Sequence, residues 1–490
     1  MISYADACRD PHLFAPWFSG PTWDTWAVLD RALFGEPLSA EQLAVFTELT
    51  GRTEAPTEPC SEAWLVMGRR AGKDVKSASI ITYLATIGAE KYGFLERLVP
   101  GETAVAQLFA MDRKQAKVCL SYVKALFEQP MLNRLVARDT AEGLELTNGI
   151  TVEITTNDFR SSRGRAVIAA VLDECAFYAS ENSASPDEEL YRAIKPGTAT
   201  MPRAMIFGIS SPHARKGILW RKYKENWSKP GSTLVVQAPT WRMNPTVPRD
   251  GDFLHEQEQA DPAGFVAEYG AQFRTDVESY VSLEAVEACV EDGCFERPRI
   301  PGVQYHGAVD PSGGSGTDSM TASIAHREGD LVIVDAIREI KPPFSPQAAT
   351  KELADFFRTY GLSEIRGDRY GGDWPREQFR LHGIEYKLSP AVRTDLYVTM
   401  LPAINSGRVS LLDSRKLVAQ LVALERKNKA GGKLQIDHPT GPNSHDDVAN
   451  VVALAVYVAL MKIPEEYTIA GVELVNLAEW FDRDYSNSGY

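Results

Sequence analysis

Continuous apolar runs alternate with helix-patterned stretches through much of the first half of the chain. Each run is short and bounded by polar or turn-forming residues, which is typical of strands buried on both faces of a parallel sheet. The stretches between them place apolar residues at helical spacing, as in residues 113–127. The pattern predicts an α/β domain whose buried strands include residues 63–67, 104–110, 166–172 and 203–209.

A new pattern starts near residue 304. Three strand-like segments follow one another with tight turns between them, and an amphipathic helix over 345–360 leads to a fourth strand that ends at Asp368. A nearly apolar helix begins at Asp446 and Asp447. Three meander strands, a crossover helix, a fourth strand and a late helix are the order of a ribonuclease-H-like domain. We therefore expect a second α/β domain of that kind.

These patterns divide the chain into five expected regions. They are a helical lead-in over 1–60, a first α/β core over 61–245, a linker over 246–300, a second domain over 301–463 and a tail over 464–490. The length of 490 residues, with 44% hydrophobic and 24% charged positions, suits roughly two to three globular domains. No apolar run is long enough to cross a bilayer and the first residues lack a signal-peptide pattern, so we expect a cytosolic protein that contacts no membrane.

Charge and cysteine content limit the kinds of site. The net charge of −14 argues against a surface coated with nucleic acid, although a local basic channel remains compatible with it. Cys289 and Cys294 are the only cysteines close together in the sequence, and no second pair completes a zinc site. Reduced thiols are the better interpretation.

The segment Trp64–Ser77, WLVMGRRAGKDVKS, has the layout of a phosphate-binding loop: an apolar strand, a glycine-containing turn, a lysine and a helix. In such a loop, backbone N–H groups and the helix N-terminus face the anion while the lysine reaches the outer phosphates. The residues concerned are Gly68, Arg70, Gly72, Lys73 and Asp74. Two positions depart from the usual pattern, because Met67 replaces the first glycine and Asp74 the metal-binding Ser or Thr. The alternative is an ordinary exposed turn.

Polar residues follow two of the predicted buried strands. Asp173 and Glu174 come directly after the run 166–172, and Ser210 and Ser211 follow the run 203–209. Ligands of open α/β sheets bind at the carboxyl ends of strands, where one carboxylate can serve a magnesium ion and the next can polarise a water. The hydroxyls would lie near the terminal phosphate. The alternatives are a helix cap for the acids and a simple turn for the serines.

Three acidic positions in the second half converge in the expected topology. Strands one and four are neighbours in a ribonuclease-H-like sheet, so Asp310 and Asp368 would meet at one edge, and a helix N-terminus would add Asp446 or Asp447. Clustered carboxylates repel one another and so favour divalent cations; two ions can clamp the attacking water and the leaving oxygen of a phosphodiester. Taken singly, each acid could instead cap a helix or open a turn.

In order and spacing these motifs resemble the large terminase subunits of tailed bacteriophages. The residues that carry the resemblance in the first half are GRRAGKD, Asp173-Glu174, SSRGRA at 161–166, ISSP at 209–212 and the segment 244–273. The resemblance implies a P-loop ATPase domain of the ASCE type, in which Lys73 binds phosphates, Asp173 serves the metal and Glu174 activates water. It further implies that Ser210 or Ser211 couples hydrolysis to movement. Arg69 is a candidate arginine finger and Gln42 a candidate adenine contact, or else a surface glutamine.

The second half resembles the terminase nuclease domain through VDPSGG, GDRYGG and the H-DD at 445–447. This implies a metal-dependent nuclease at Asp310, Asp368 and Asp447, with Asp447 preferred to Asp446. Asp318 is a candidate supporting acid, or else a turn residue. The hairpin-like segment 425–439 carries Arg426, Lys427, Lys429 and Lys433, which would meet phosphates or lie in solvent. Arg215, Lys216, Arg221, Lys222 and Lys224 form a second basic cluster that would face DNA or solvent.

A large terminase would use ATP with Mg²⁺, with Mn²⁺ possible for cutting, and would work in the host cytoplasm. Its partners would be double-stranded DNA, the portal protein and a small terminase subunit. It would form a homo-oligomeric ring on the portal, and a monomer is the alternative in isolation. Two rivals are a helicase-like ATPase with an inactive nuclease fold and an inactive assembly protein whose nucleotide site is broken by Asp74.

Overall fold

The computed structural model describes seven stretches of the chain, and every structural statement below concerns them. They are residues 2–156, 164–180, 183–316, 318–368, 373–428, 434–439 and 445–461. Arg163 in the SSRGRA motif, Lys429, Lys433 and the expected tail over 464–490 lie outside the described residues.

An eight-stranded mixed sheet organises the first half. Its strands are β1 (Glu62–Met67), β2 (Ala104–Ala110), β3 (Val136–Asp139), β4 (Gly143–Leu146), β5 (Thr151–Thr156), β6 (Ala166–Asp173), β7 (Met205–Ser210) and β8 (Thr233–Ala238). They lie in the order β3-β4-β5-β2-β6-β7-β1-β8. The strands from β5 to β8 in this order run parallel, while β3, β4 and β5 form antiparallel pairs.

Register explains why the chemistry collects at one edge of this sheet. Strand β7 lies between β6 and β1, with Asp173 opposite Ile209 and Val66 opposite Ser210. The carboxyl ends of three parallel neighbours therefore coincide, as expected for a ligand-binding edge. All residues of β1, β2, β6 and β7 are buried, which agrees with their continuous apolar runs.

Helices cover both faces of this sheet and continue into the region that follows it. They are α1 (Tyr4–Ala7), α2 (Ala15–Phe18), α3 (Asp24–Leu33), α4 (Ala40–Thr50), α5 (Lys73–Ala85), α6 (Ile87–Lys91), α7 (Arg113–Phe127), α8 (Pro130–Asn133), α9 (Pro186–Ile194), α10 (Gly217–Asn226), α11 (Thr240–Met243), α12 (Asp252–Ala260) and α13 (Pro262–Glu268). Helix α5 starts at Lys73 and is buried along most of its length because it lies against β2, β5 and β6. The phosphate loop thus joins a central strand directly to a buried helix.

A seven-stranded sheet organises the second half. Its first strand in sequence is β10 (Val290–Glu291). Strand β9 (Val277–Ser279), which belongs to another sheet, and helix α14 (Leu283–Glu287) come before it. The other strands are β11 (Tyr305–Asp310), β12 (Met320–Glu328), β13 (Leu331–Ile340), β14 (Glu364–Gly367), β15 (Glu385–Leu388) and β16 (Val409–Leu412). Their order with β10 is β10-β16-β13-β12-β11-β14-β15. Strands β11 to β13 form the antiparallel meander predicted from the sequence, and β14 lies parallel beside β11.

The helices of this half are α15 (Pro346–Thr359), α16 (Trp374–Leu381), α17 (Arg393–Asn405), α18 (Arg415–Ala423) and α19 (Asp447–Leu460). Helix α19 packs on β11, β12 and β13 and buries nearly every side chain, as its apolar sequence predicts. Its N-terminus therefore lies beside the sheet edge where β11 ends.

A third, three-stranded sheet contains β9 together with β17 (Glu425–Asn428) and β18 (Leu434–Asp437), in the order β18-β17-β9. Strands β17 and β18 correspond to the hairpin-like segment seen in the sequence. Because β9 pairs with β17, the expected linker over 246–300 takes part in the architecture of the second half.

The predicted fold class, an α/β ATPase-like domain followed by a ribonuclease-H-like domain, is confirmed by this architecture. The exact domain limits stay a prediction. Among the described residues, no helix is both long and apolar enough to cross a membrane. The six cysteines are free thiols, five of them buried.

Candidate active sites

The phosphate loop is shaped by two close approaches. A side chain at Gly68 would collide with the Thr240 hydroxyl, and the backbone N–H of Gly68 bonds to Ala238 at the end of β8. Gly72 has a φ of 81°, and its Cα faces the ring of Trp23, which a Cβ would approach to 2.7 Å. Glycine is therefore needed at both positions by sterics. Trp26 adds a hydrogen bond of 2.6 Å from its indole N–H to the Ala71 carbonyl.

Lys73 lies at the first position of α5 with its amine inside the cleft. The amine forms an ion pair of 2.7 Å with Glu174 and donates a hydrogen bond of 2.9 Å to the Ser211 hydroxyl. The side chain is only 5% exposed, so these contacts are shielded from water. Three residues singled out from separate sequence motifs thus meet at one point.

Glu174 has a left-handed backbone, with a φ of 50° that side chains of its kind rarely adopt. This conformation directs its carboxylate toward β7, where Oε2 accepts hydrogen bonds from the Ser210 hydroxyl at 3.0 Å and the Ser211 N–H at 3.2 Å. Strained backbone of this type is concentrated at functional sites. The carboxylate is held at the carboxyl ends of β6 and β7, beside the amine of Lys73.

Asp173 and Asp74 share a single hydrogen-bond donor. The side-chain Nε2 of Gln115 lies 3.1 Å from Asp173 Oδ2 and 3.4 Å from Asp74 Oδ2. Burial raises the pKa of Asp173 to about 7, helped by the charges of Glu174 and Asp74. Burial and the charge of Glu174 likewise raise the pKa of Asp74. Gln115 was not singled out from the sequence, because a glutamine in the first turn of an amphipathic helix carries no motif.

Three other residues that the sequence suggested for the nucleotide site are Arg69, Arg70 and Gln42. Arg69 lines the cleft and pairs with Glu268 at 2.9 Å, with 54% of its side chain exposed. Arg70 is exposed, with a φ of 65°, and also lines the cleft. Gln42 closes a capping box at the start of α4, where its side-chain oxygen accepts the Ser39 N–H at 3.0 Å, and it is absent from the described lining of the cleft. Its helix-capping contact matches the surface alternative better than an adenine contact.

The basic cluster over 215–224 is divided between different environments. Lys222 is buried and forms an ion pair of 2.7 Å with Glu62, whose pKa falls to about 2 because Lys195 and Lys222 outweigh the effect of burial. Arg221 pairs with Glu188 at 2.7 Å. Lys222 thus neither faces DNA nor lies in solvent, and it holds α10 against the start of β1.

The second site is formed where β11 and β14 end side by side. Val309 lies opposite Gly367 in a parallel register, so Asp310 and Asp368 occupy the next position on each strand. Burial raises the pKa of Asp310 to about 7, and the neighbouring charges of Asp447 and Asp368 add to that effect. The carboxylates predicted to converge from distant segments are close enough to influence one another.

The two aspartates at the start of α19 have different surroundings. Asp446 is 4% exposed, accepts the Tyr397 hydroxyl at 3.0 Å and lies 3.6 Å from Arg393. Asp447 is half-buried and accepts the Ser319 N–H at 3.0 Å. Asp447 also forms a group with Asp318 and His445 whose ligand atoms lie within 4.8 Å of one another, a set suited to a metal ion. The geometry favours Asp447 over Asp446 as a ligand, and the assignment itself stays a prediction.

Asn450 is a member of this site that the sequence did not reveal. Its amide donates a hydrogen bond of 2.8 Å to Asp310 Oδ2, while its own Oδ1 is buried with no partner among the described residues. Asn450 lies three residues after Asp447, on the same face of α19. A lone polar residue in an otherwise apolar helix was the available signal.

Glu425 joins the two halves. Its fully buried carboxylate lies 2.8 Å from His213 and 3.2 Å from Lys216, both just beyond β7, and 3.1 Å from Lys427 of its own strand. Burial alone would raise the pKa of Glu425, but these groups together lower it well below its usual range. A cleft of about 3090 Å³ opens here and reaches from the phosphate loop to Arg426 and His445. Lys427 and Lys216 therefore contact Glu425 between the two halves of the chain.

Each site has a buried oxygen without a hydrogen-bond partner among the residues that the structure describes, and this observation tests whether a metal would fit. In the first site it is Asp173 Oδ1, and in the second it is Asn450 Oδ1. Buried acceptors are normally satisfied, so each oxygen calls for a ligand that the protein does not supply. Carboxylate and amide oxygens are the ligands that Mg²⁺ and Mn²⁺ prefer. Both donor sets therefore fit a divalent cation.

Comparisons with known proteins give structural likeness only. No family model matches the chain, and no curated protein matches its sequence. Among solved structures, the large terminase of bacteriophage HK97 is 16% identical, with a TM-score of 0.37, over 90% of this chain and 100% of that one. The large terminase of the thermophilic bacteriophage D6E is 12% identical, with a TM-score of 0.36, over 87% and 100%.

A third similar structure is the isolated large terminase nuclease from thermophilic phage G20c, which is 16% identical, with a TM-score of 0.31, over 36% of this chain and 96% of that one. Identities and scores this low do not by themselves assign a function. These three solved structures are large terminases of bacteriophages, one of them represented by its nuclease alone.

Proposed function

We propose that this chain is the large subunit of a viral terminase, which hydrolyses ATP in its first half and cuts double-stranded DNA in its second. The observation that carries the proposal is the presence of two separate carboxylate sites on one chain. One combines Lys73, Glu174 and Ser211 at a phosphate loop, and the other combines Asp310, Asp368 and Asp447 at the edge of a ribonuclease-H-like sheet.

In the first site, the chain's own groups divide the work of phosphoryl transfer. The amine of Lys73 would leave Glu174 and bind the outer phosphates of ATP, since it is the buried cation at the N-terminus of α5. Glu174 would then be free to orient and polarise a water, while Ser210 and the Ser211 N–H hold its other oxygen in place. Mg²⁺, when bound, would neutralise phosphate charge. Asp173 and Asp74 are placed to hold it.

Release of Lys73 from Ser211 offers a route by which nucleotide state could reach the second half. Ser211 lies two residues before His213, whose imidazole contacts Glu425 at the base of the β17–β18 hairpin. A change at the phosphate loop would thus be felt at the junction through a short stretch of chain. This is the movement that we assign to the coupling residues Ser210 and Ser211.

In the second site, Asp310, Asp368 and Asp447 would hold divalent cations, with Asp318 and His445 completing a second position beside Asp447. Such ions activate water and stabilise the leaving oxygen of a phosphodiester. Asn450 keeps Asp310 oriented through its amide, and its own Oδ1 is buried without a partner among the described residues. Asp446 would support the site through Tyr397 and Arg393 rather than bind an ion.

The biological setting follows from this assignment. The enzyme would cut concatemeric viral DNA in the host cytoplasm and drive it through a portal protein into a procapsid, with a small terminase subunit and as a ring of several copies. ATP with Mg²⁺ would be the fuel, and Mg²⁺ or Mn²⁺ would serve cutting.

Incubating the purified chain with supercoiled plasmid and Mn²⁺ tests the proposal. We expect linear product that EDTA abolishes, and a loss of cutting of about 100-fold or more in Asp368→Asn, because a lost metal ligand removes transition-state stabilisation. ATP hydrolysis should persist in this variant. The control is Asp330→Asn, an exposed aspartate in a turn of the same half. Cutting that survives both EDTA and Asp368→Asn would contradict the nuclease assignment.

A further inference from the structure

The phosphate loop carries an acidic residue where loops of this kind carry a hydroxyl. Asp74 follows Lys73 at the start of α5 and lines the cleft with Gln115. In the usual loop, a Ser or Thr hydroxyl at this position contacts a magnesium ion that arrives with the nucleotide. A carboxylate brings a full negative charge to the same place, so the site can attract a cation by itself.

Asp74 faces the carboxylate of Asp173 across one amide group. Gln115 Nε2 is within hydrogen-bond distance of both, at 3.4 Å from Asp74 Oδ2 and 3.1 Å from Asp173 Oδ2. A single N–H₂ group that contacts two carboxylates occupies the place where a cation would contact both. Rotating the amide by half a turn would present the Gln115 carbonyl oxygen to that place instead.

Asp173 supplies an independent sign that a ligand belongs here. It is 0% exposed, and its Oδ1 has no hydrogen-bond partner among the described residues. A buried carboxylate oxygen without a partner is costly, so an ion that binds it would remove a penalty that the protein otherwise bears.

The nearby amine of Lys73 is bound to other residues. Lys73 directs its amine to Glu174 and Ser211, and in the part of the chain that the structure describes no lysine or arginine forms an ion pair with Asp74 or Asp173. In the same described part of the chain, the side chains that bond to the two aspartates are neutral, because the Gln115 amide contacts both and the Cys119 thiol lies 3.7 Å from Asp173 Oδ2. Their mutual repulsion is relieved best by a divalent ion.

We propose that Asp74, Asp173 and Gln115 form a divalent-cation site that is loaded before the nucleotide arrives. Two carboxylates and one amide oxygen supply three hard ligands, and water or phosphate oxygens complete the coordination. This inference rests on the proposed ATP site but goes beyond it, because the metal would be resident in the enzyme rather than delivered with ATP. Replacing Asp74 by a hydroxyl should return the site to nucleotide-dependent metal binding.

The test measures Mn²⁺ binding without nucleotide, by the loss of the electron paramagnetic resonance signal of the free ion. The second site is silenced with Asp368→Asn and Asp447→Asn so that its own ions do not contribute. We expect this background protein to bind one Mn²⁺, Asp74→Ser to weaken the affinity by about tenfold or more, and Gln115→Leu to weaken it by about threefold. Adding a non-hydrolysable ATP analogue should restore Mn²⁺ binding to Asp74→Ser, measured as the signal loss beyond that caused by the same analogue without protein.

Two controls accompany the Mn²⁺ titration. Asp139→Ser, an equivalent substitution of an exposed aspartate in the same half, should leave the affinity unchanged. The same titration on the chain with its second site intact should show one tight Mn²⁺ site fewer for Asp74→Ser than for the parent. Circular dichroism confirms that each variant is folded before its titration is counted.

Failure of this inference differs from failure of the proposed function. Equal nucleotide-free Mn²⁺ affinity in the Asp74→Ser variant and its background overturns the resident metal, and so does the absence of any binding without nucleotide. ATP hydrolysis measured in parallel is a separate result. A chain that binds Mn²⁺ through Asp74 but hydrolyses no ATP would keep this inference and refute the ATPase.

Discussion

The two acidic sites solve the same electrostatic problem in different ways. In each site, desolvation raises to about 7 the pKa of an aspartate at the end of a strand, Asp173 in the first half and Asp310 in the second. In the first site a protein cation, Lys73, lies among the acids and pairs with Glu174. In the second, the group bonded to Asp310 is the neutral amide of Asn450.

This difference indicates how each site depends on its ligands. A site with its own ammonium group is already partly neutralised and can exchange that group for phosphate charge at each turnover. In the second site, Asp310 is bonded to a neutral amide and lies near the charge of Arg393, and the repulsion among the acids is relieved further when metal binds. We therefore expect the first site to respond most to loss of its lysine and the second to respond most to metal and pH.

The largest expected effect is that of Lys73→Ala. Loss of the amine should lower ATP hydrolysis by about 1000-fold, because it removes the charge that binds the outer phosphates and leaves Glu174 with no ion-pair partner at that position. Plasmid cutting with Mn²⁺ in the absence of ATP should stay within about twofold of the parent. A phosphate-release assay and gel analysis of the plasmid measure the two activities.

The control for that variant is Lys117→Ala, which removes an exposed lysine from α7. Equal ATP hydrolysis by the parent and Lys73→Ala would show that the loop does not form a working nucleotide site. A parallel loss of cutting would show that the two sites are not separable.

The second prediction concerns stability and pH at Asp310. Its pKa is raised in the folded chain, so the folded state holds the proton more tightly than the unfolded state, and stability falls as pH rises from about 4 to about 7. In EDTA at pH 8, Asp310→Asn should therefore be more stable than the parent, by about 3 °C in melting midpoint. The gain should shrink as pH falls through 7 toward 4.

Adding Mn²⁺ should reverse the order at pH 8, because the parent carboxylate binds the ion and the amide does not. Differential scanning calorimetry across this pH range measures both effects. A parent that is more stable than Asp310→Asn at pH 8 in EDTA would contradict the inference that the charge of Asp310 destabilises the metal-free protein.

The smallest expected effect is that of replacing Trp26, which contacts the phosphate loop of the first site. Trp26→Phe removes the indole hydrogen bond to the Ala71 carbonyl but keeps an aromatic ring, so the phosphate loop should be held less firmly. We expect KM for ATP to rise about fivefold, with kcat and DNA cutting nearly unchanged. Steady-state kinetics measure this, with Trp227→Phe, at the residue that follows α10, as the control. An unchanged KM would mean that Trp26 only fills space.

The sequence predicted the elements whose pattern is local and periodic. The buried strands β1, β6 and β7, the meander β11–β13 and the apolar helix α19 all lie where their residue patterns indicated. The acids at the strand ends could be named because topology alone brings the ends of parallel neighbours together.

Residues that act across long separations were not predictable. Gln115 reaches Asp173 from 58 positions away and Asn450 reaches Asp310 from 140, and neither amide belongs to a motif. Lys222 and Lys216 were grouped by sequence as one basic patch, yet one is buried against Glu62 and the other contacts Glu425. Charge patterns give the number of charges in a segment, whereas folding decides which partner each one meets.

The left-handed backbone at Glu174 sets two requirements at one position that no single residue type meets well. Its φ of 50° is the territory of glycine, while the contacts to Lys73 and Ser210 require a long carboxylate. Replacing Glu174 by glycine would remove the backbone strain and would also remove the carboxylate. Selection for stability and selection for activity would therefore favour different residues at this position.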